Sequence, residues 1–167
     1  MALQLLSNSE TAFAFPTGTA LLLTKTLLIN MFIIGGRIMP HMTVEFSDGL
    51  STESLRLLCR TIYEVLAASD DFPTAGIRVR VHKADIAFVG DGLPENDFVA
   101  LTLSVGAGRT RDVLHAAGSQ IFAAAQEALA DRLAEPYFSL SLEIRQIDPD
   151  LSWKDTPIHA RFSPKKD

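Results

Sequence analysis

After His41 the apolar residues change their spacing from two to between three and four, then back to two, and the whole change then repeats. His41-Met-Thr-Val-Glu-Phe46 alternates and is partly β-branched, which predicts a short strand. From Ser51 the positions Leu55, Leu58, Ile62 and Leu66 mark one face of an amphipathic helix ending near Ala68. Asp70-Asp-Phe-Pro73 breaks the chain. Ile77-Arg-Val-Arg-Val-His82 alternates strictly, with Ile77, Val79 and Val81 on one face and Arg78, Arg80 and His82 on the other. A loop from Asp85 to Asn96 leads to a second series: an alternating strand from Phe98 to Val105, a helix from Thr110 to about Arg132, and a strand from Ser139 to Ile147.

Few folds accept that order. Two strand–helix–strand units of similar size, with little residue identity between them, predict an α+β domain. Laid side by side, the βαβ units make a four-stranded sheet with both helices on one face. The other face then wants a cover, which predicts an oligomer. The tail from Leu151 to Phe162, with Trp153 and Pro157, is too irregular for a helix and reads as an arm that packs on a neighbour.

Residues 1–38 belong to a different kind of sequence. They are rich in Thr, Leu and Ile and end in ALLLTKTLLINMFIIGG. A secretory signal opens with positive charge, but MALQLLSNSE carries Glu10 and no base. A membrane span needs about 18 uncharged apolar residues, and Lys25 interrupts the run. A wrongly assigned start is the simpler reading: translation begins at Met39, and the initiator is trimmed before Pro40. The alternative is a real extension, partly disordered or lying on a membrane. The expected organisation is therefore an extension over 1–38 and one domain over 39–167.

The chain has 47% hydrophobic residues, enough for a core, and a formal net charge of −5. Residues 1–38 hold one acid and two bases, so the body alone is more negative still. An acidic body without a basic stripe argues against a nucleic-acid partner but not against an anionic small molecule. Cys59 is the only cysteine. It forbids an internal disulfide, fits a cytoplasmic protein, and reads as a small residue near the core of the first helix.

Candidate chemistry is sparse. Gly106-Ala-Gly-Arg-Thr-Arg111 joins a strand to a helix. Gly106 and Gly108 let the backbone approach a ligand, the helix start offers N–H groups to an anion, and Arg109 adds a full charge. It is neither a P-loop nor a dinucleotide fingerprint, and a tight turn with a surface arginine fits equally well. Arg78 and Arg80 share a strand face. They suit either a carboxylate clamp or solvated, paired arginines. His41, His82, His115 and His159 lack metal-ligand spacing and read as structural. With no Gly-x-Ser-x-Gly elbow, a serine-triad hydrolase is unsupported.

The stretches PHMTVEFSD, FPTAGIRVRVH, LTLSVGAGR, LSLEI and IHARF, in this order, cover nearly all of Met39 to Phe162. In this set the chain resembles the 5-carboxymethyl-2-hydroxymuconate isomerase family of the tautomerase superfamily; residues 1–38 have no counterpart in the pattern. The resemblance implies an isomerase whose N-terminal proline, here Pro40, carries the proton. It implies a small polycarboxylate dienol substrate from homoprotocatechuate (4-hydroxyphenylacetate) breakdown, converted to its 2-oxo isomer. Arg78 and Arg109 match the arginines of GIR and GAGR and would hold carboxylate or enolate oxygens, with Arg80 a lesser partner. No metal or organic cofactor is needed, because the conjugated substrate stabilises its own carbanion. A homotrimer is implied, without stable membrane association if the chain starts at Met39. Two alternatives stand beside this: a non-catalytic, carboxylate-binding relative with Pro40 blocked, and a tautomerase for a different 2-hydroxydienoate or keto–enol pair. As a loop residue at a helix start, Arg109 is expected to matter for turnover more than for stability.

Overall fold

The computed structural model describes residues 39–162, which belong to one compact unit. The readings made for residues 1–38 lie outside the described residues. Strand β1 is His41–Phe46, helix α1 Thr52–Ala68, β2 Arg78–Lys83, β3 Asp97–Gly106, α2 Arg111–Ala128, α3 Ala130–Leu133 and β4 Phe138–Ile147. Three short 3-10 turns, Thr74–Gly76, Pro149–Leu151 and Pro157–Arg161, complete the described residues' elements.

The sheet order is β2-β1-β3-β4. β1 pairs parallel with β2, β3 parallel with β4, and the two units meet through antiparallel β1 and β3. This is the α+β architecture that the alternating periods predict. The core uses one face of the central strands and the two long helices: Met42 and Val44 from β1, Leu101 and Leu103 from β3, Leu58 and Ile62 from α1, Ile121 and Ala125 from α2. Both helices therefore cover the same sheet face. Ser51 caps α1 by accepting from the Ser54 N–H, and Thr110 caps α2 by accepting from the Val113 N–H. Helix α2 ends at Ala128, earlier than its pattern suggests; Leu129 turns the backbone, and Ala130–Leu133 is a separate turn of helix.

The uncovered face is polar. Register places Arg80, Thr43, Thr102 and Glu143 in one row across the four strands, and Arg78, His41, Ser104 and Arg145 in the next. At the far end of the sheet, buried Ser47 donates to Asp97 Oδ1 (2.9 Å) and accepts from the Phe98 N–H, while Arg132 Nη2 reaches Asp97 Oδ2 at 2.7 Å. That end is fastened. The opposite end gathers the starts of β1 and β2 and the finishes of β3 and β4. Among the described residues, no helix is long and apolar enough to cross a membrane.

Candidate active site

Pro40 lies at the open end of the sheet, directly before β1, and is fully buried. Its carbonyl accepts the Arg78 N–H at 3.1 Å, which continues the parallel β1–β2 ladder and fixes both residues together. In this chain Pro40 nitrogen is bonded to the Met39 carbonyl carbon. The atoms of Met39 therefore mark the direction in which a free Pro40 amine would present its lone pair.

What surrounds Met39 is informative. It is 3% exposed. Arg78 Nη1 comes within 3.1 Å of its sulfur, and His159 Nε2 within 3.2 Å. A Cβ on Gly76 would fall 2.6 to 2.8 Å from Met39 Cγ, Cβ and Cα, so only glycine admits residue 39 here. The tail that carries His159 returns to this end of its own chain, where the turn Pro157–Arg161 packs on the turn Thr74–Gly76. The His159 part of the tail read as an arm thus docks on its own chain, while Trp153 stays exposed.

Arg78 Nη1 also lies 2.8 Å from His41 Nε2. An arginine can only donate, so that ring nitrogen is the acceptor and the imidazole carries its proton on Nδ1. Burial depresses the basicity of His41, and the neighbouring charges of Arg78, Arg80 and Lys154 depress it further. An acidic protein thus collects three cations around the residue next to Pro40.

Arg109 is held differently. Its Nε and Nη2 donate to the Asp71 carbonyl at 3.1 and 2.7 Å, and its Nη1 to the Gly106 carbonyl at 3.2 Å. The guanidinium lies 5.0 Å from the centroid of the buried Phe72 ring. It is more than a surface arginine, because it packs on a ring of the core. It lines an open cleft of about 590 Å³ with Arg111, Leu114, His115, Ile144 and Gln146; neither Pro40 nor Arg78 lines that cleft. Gly106 is buried and Gly108 has φ of 102°, the left-handed geometry that turns the strand into α2. Pro40 and Arg78 are thus brought into contact, and Arg80 stands two residues further along the same strand face. Arg109, Gly106 and Gly108 sit on the adjoining loop. His41, Met39 and His159 were not picked as site residues from sequence. The only signal for His159 was its place in IHARF, and nothing in its spacing announces that the tail returns.

A family model described as 5-carboxymethyl-2-hydroxymuconate isomerase matches residues 40–162. The chain is 37% identical over 125 residues to the 5-carboxymethyl-2-hydroxymuconate Delta-isomerase of Escherichia coli, covering 74% of this chain and 99% of that one. It also matches the crystal structure of a 5-carboxymethyl-2-hydroxymuconate isomerase from Deinococcus radiodurans R1, with 33% identity, a TM-score of 0.72, and 78% and 99% of the two chains covered. A fused 4-OT wild-type symmetric trimer, at 16% identity and a TM-score of 0.52 over 64% of this chain and 85% of that one, shares the fold.

Proposed function

The chain belongs to the 5-carboxymethyl-2-hydroxymuconate isomerase family, and from that premise we propose that it converts 5-carboxymethyl-2-hydroxymuconate to its 2-oxo isomer, with Pro40 as a free N-terminal proline carrying the proton. The substrate is a polycarboxylate dienol of homoprotocatechuate breakdown, and the assembly is a homotrimer. The observation that carries the mechanism is the setting of Pro40 nitrogen: buried, with the Arg78 guanidinium reaching the atoms bonded beyond it. The family match over residues 40–162 supports a mature chain that begins there, with 1–38 outside the working domain.

Only a terminal proline has a basic nitrogen. Free α-amino groups titrate near pH ~8, and both burial and a neighbouring cation act to lower that value. Neutral Pro40 takes the enol proton. Negative charge then builds on the dienolate oxygen, where a fixed guanidinium lowers the barrier. The ammonium returns a proton to a carbon further along the conjugated system. Arg78 is the partner for that charge. Arg109 holds a second carboxylate with the Gly106–Gly108 backbone beside it, and Arg80 adds field rather than contact.

In the 167-residue chain Pro40 is an amide, and that bond is what favours the second reading, a carboxylate-binding relative without activity. Intact mass and N-terminal sequence of protein made from the native gene, with an isomerase assay on the same sample, separate the two. A chain starting at Pro40 that isomerises the substrate is expected. Full activity in a chain starting at Met1, or none in a chain starting at Pro40, defeats the proline mechanism.

A further inference from the structure

We propose that His159 is a substrate-binding residue of this site, and that the side chain of Met39 fills the place the substrate takes. The inference rests on the reading of Pro40 as the mature terminus. Arg78 Nη1 and His159 Nε2 converge on one atom, the Met39 sulfur, at 3.1 and 3.2 Å. A thioether is a weak acceptor, so these two groups gain little from it. An anionic oxygen in the same position accepts from both, in charge-assisted hydrogen bonds that are stronger than neutral ones.

The walls fit the same use. Gly76 leaves open the space where its Cβ would meet Met39 at 2.6 to 2.8 Å. The turns Thr74–Gly76 and Pro157–Arg161 pack against each other and so hold Gly76 and His159 at a fixed separation. When residue 39 is removed, a space about the size of a methionine opens directly before the Pro40 amine. Arg78 and His159 both border it. A carboxylate or the dienolate oxygen of a substrate placed there lies against both. His159, with its proton on Nε2, donates to that oxygen.

The test uses a chain beginning at Pro40, verified by intact mass; its core is made entirely of residues after Pro40. His159→Leu removes the donor, and His159→Gln returns an N–H near the position of Nε2. Steady-state kinetics and calorimetric titration with a non-reacting probe, propane-1,2,3-tricarboxylate, are run on each. Loss of one hydrogen bond to a charged group is expected to raise KM and probe Kd about tenfold in the Leu variant. The Gln variant should recover most of that loss. If the parent isomerises and the Leu variant stays within about twofold, which is less than any hydrogen bond to charge, the inference is overturned while the function stands. If the parent binds the probe without isomerising and the Leu variant binds it more weakly, His159 is upheld and the proline mechanism falls. A parent that neither isomerises nor binds overturns both. Should the Leu variant lose the parent's thermal transition, His159→Asn, which withdraws the donor, takes its place with the same expected outcomes.

Discussion

Pro40 nitrogen can be an amide or an amine, and residue 39 decides which. Gly76 gives a way to read that choice from stability alone. In a chain that keeps Met39, Gly76→Ala forces Cβ to within 2.8 Å of the Met39 backbone and should cost about 1–3 kcal/mol of unfolding free energy. In a chain starting at Pro40 the opposing atoms are gone. The same substitution should then leave the urea midpoint nearly unchanged and weaken substrate binding instead. Equal destabilisation in both chains would show that Gly76 faces something other than residue 39. Arg109 was legible as a candidate from GAGR, but its attachments were not, because Asp71 and Phe72 lie 38 and 37 residues away in sequence. Arg109→Ala should lose about 1–3 kcal/mol, since three donated hydrogen bonds and a ring contact go together. Arg109→Lys keeps the charge but not the fork, and should fall between parent and Ala in both urea midpoint and kcat/KM. His41 adds a pH dependence. Its folded-state basicity lies below the ordinary 6.5, so the unfolded chain binds the proton first as pH falls. Stability is intact above pH about 6.5 and declines as pH drops below it toward the lower folded value. In His41→Gln, whose amide oxygen can still accept from Arg78, the Tm should fall less between pH 7 and pH 5 than in the parent.

Elements follow the sequence where a pattern is long and one-sided. Helix α1 buries Leu58, Ile62 and Leu66 at the spacing that predicted it, with Ser51 at its cap. Each strand is found within about a residue of its alternating run, because a one-residue slip would turn the whole apolar set to solvent. Edge strands show the limit of such patterns. Val79 and Val81 alternate as cleanly as Leu101 and Leu103, yet Val79 is only half-buried and Val81 is exposed, because β2 lies at the margin of the sheet with a strand on one side alone. Alternation reports which face a side chain takes and not how well that face is covered. Gly118 in α2 tests packing at the opposite margin. A Cβ there would come 3.0 Å from Ile144 Cδ1, the free end of a flexible chain beside an open cleft. Alanine in place of helical glycine gains up to about 1 kcal/mol. Ile144 can shift into the cleft, so Gly118→Ala should raise the urea midpoint slightly. Gly118→Val, which adds branched bulk and loses propensity, should lower it by about 1–3 kcal/mol. A fall for both would show that the α2–β4 contact is already closed.

At the scale of the whole molecule, the single chain exposes more apolar surface than its core explains. Ile86 and Phe88, in the loop between β2 and β3, are 82% and 89% exposed, and Trp153 is 85% exposed. Large side chains gathered in two segments are the mark of an association surface. The need for a cover could be read from a sheet with one helix layer, but the nature of the open face could not. Thr43, Thr102 and Ser104 of its middle strands lie between Arg78 and Arg80 on one edge and Glu143 and Arg145 on the other, so a partner meets a polar, charged surface there and not an apolar slab. The register then supplies a test of how copies meet. Arg80 on edge strand β2 and Glu143 on edge strand β4 end the same row. In a closed head-to-tail ring, the β2 edge of one copy meets the β4 edge of the next, which brings opposite charges together at every junction. Sedimentation of a chain beginning at Pro40 should give a trimer at micromolar concentration. Arg80→Glu should shift it toward monomer, since like charges then face each other. Adding Glu143→Arg should bring the trimer back, because the swapped pair attracts again. Recovery in the double variant is the decisive result: loss without recovery would mean the two edges do not meet, and a parent that sediments as a monomer would remove the ring altogether.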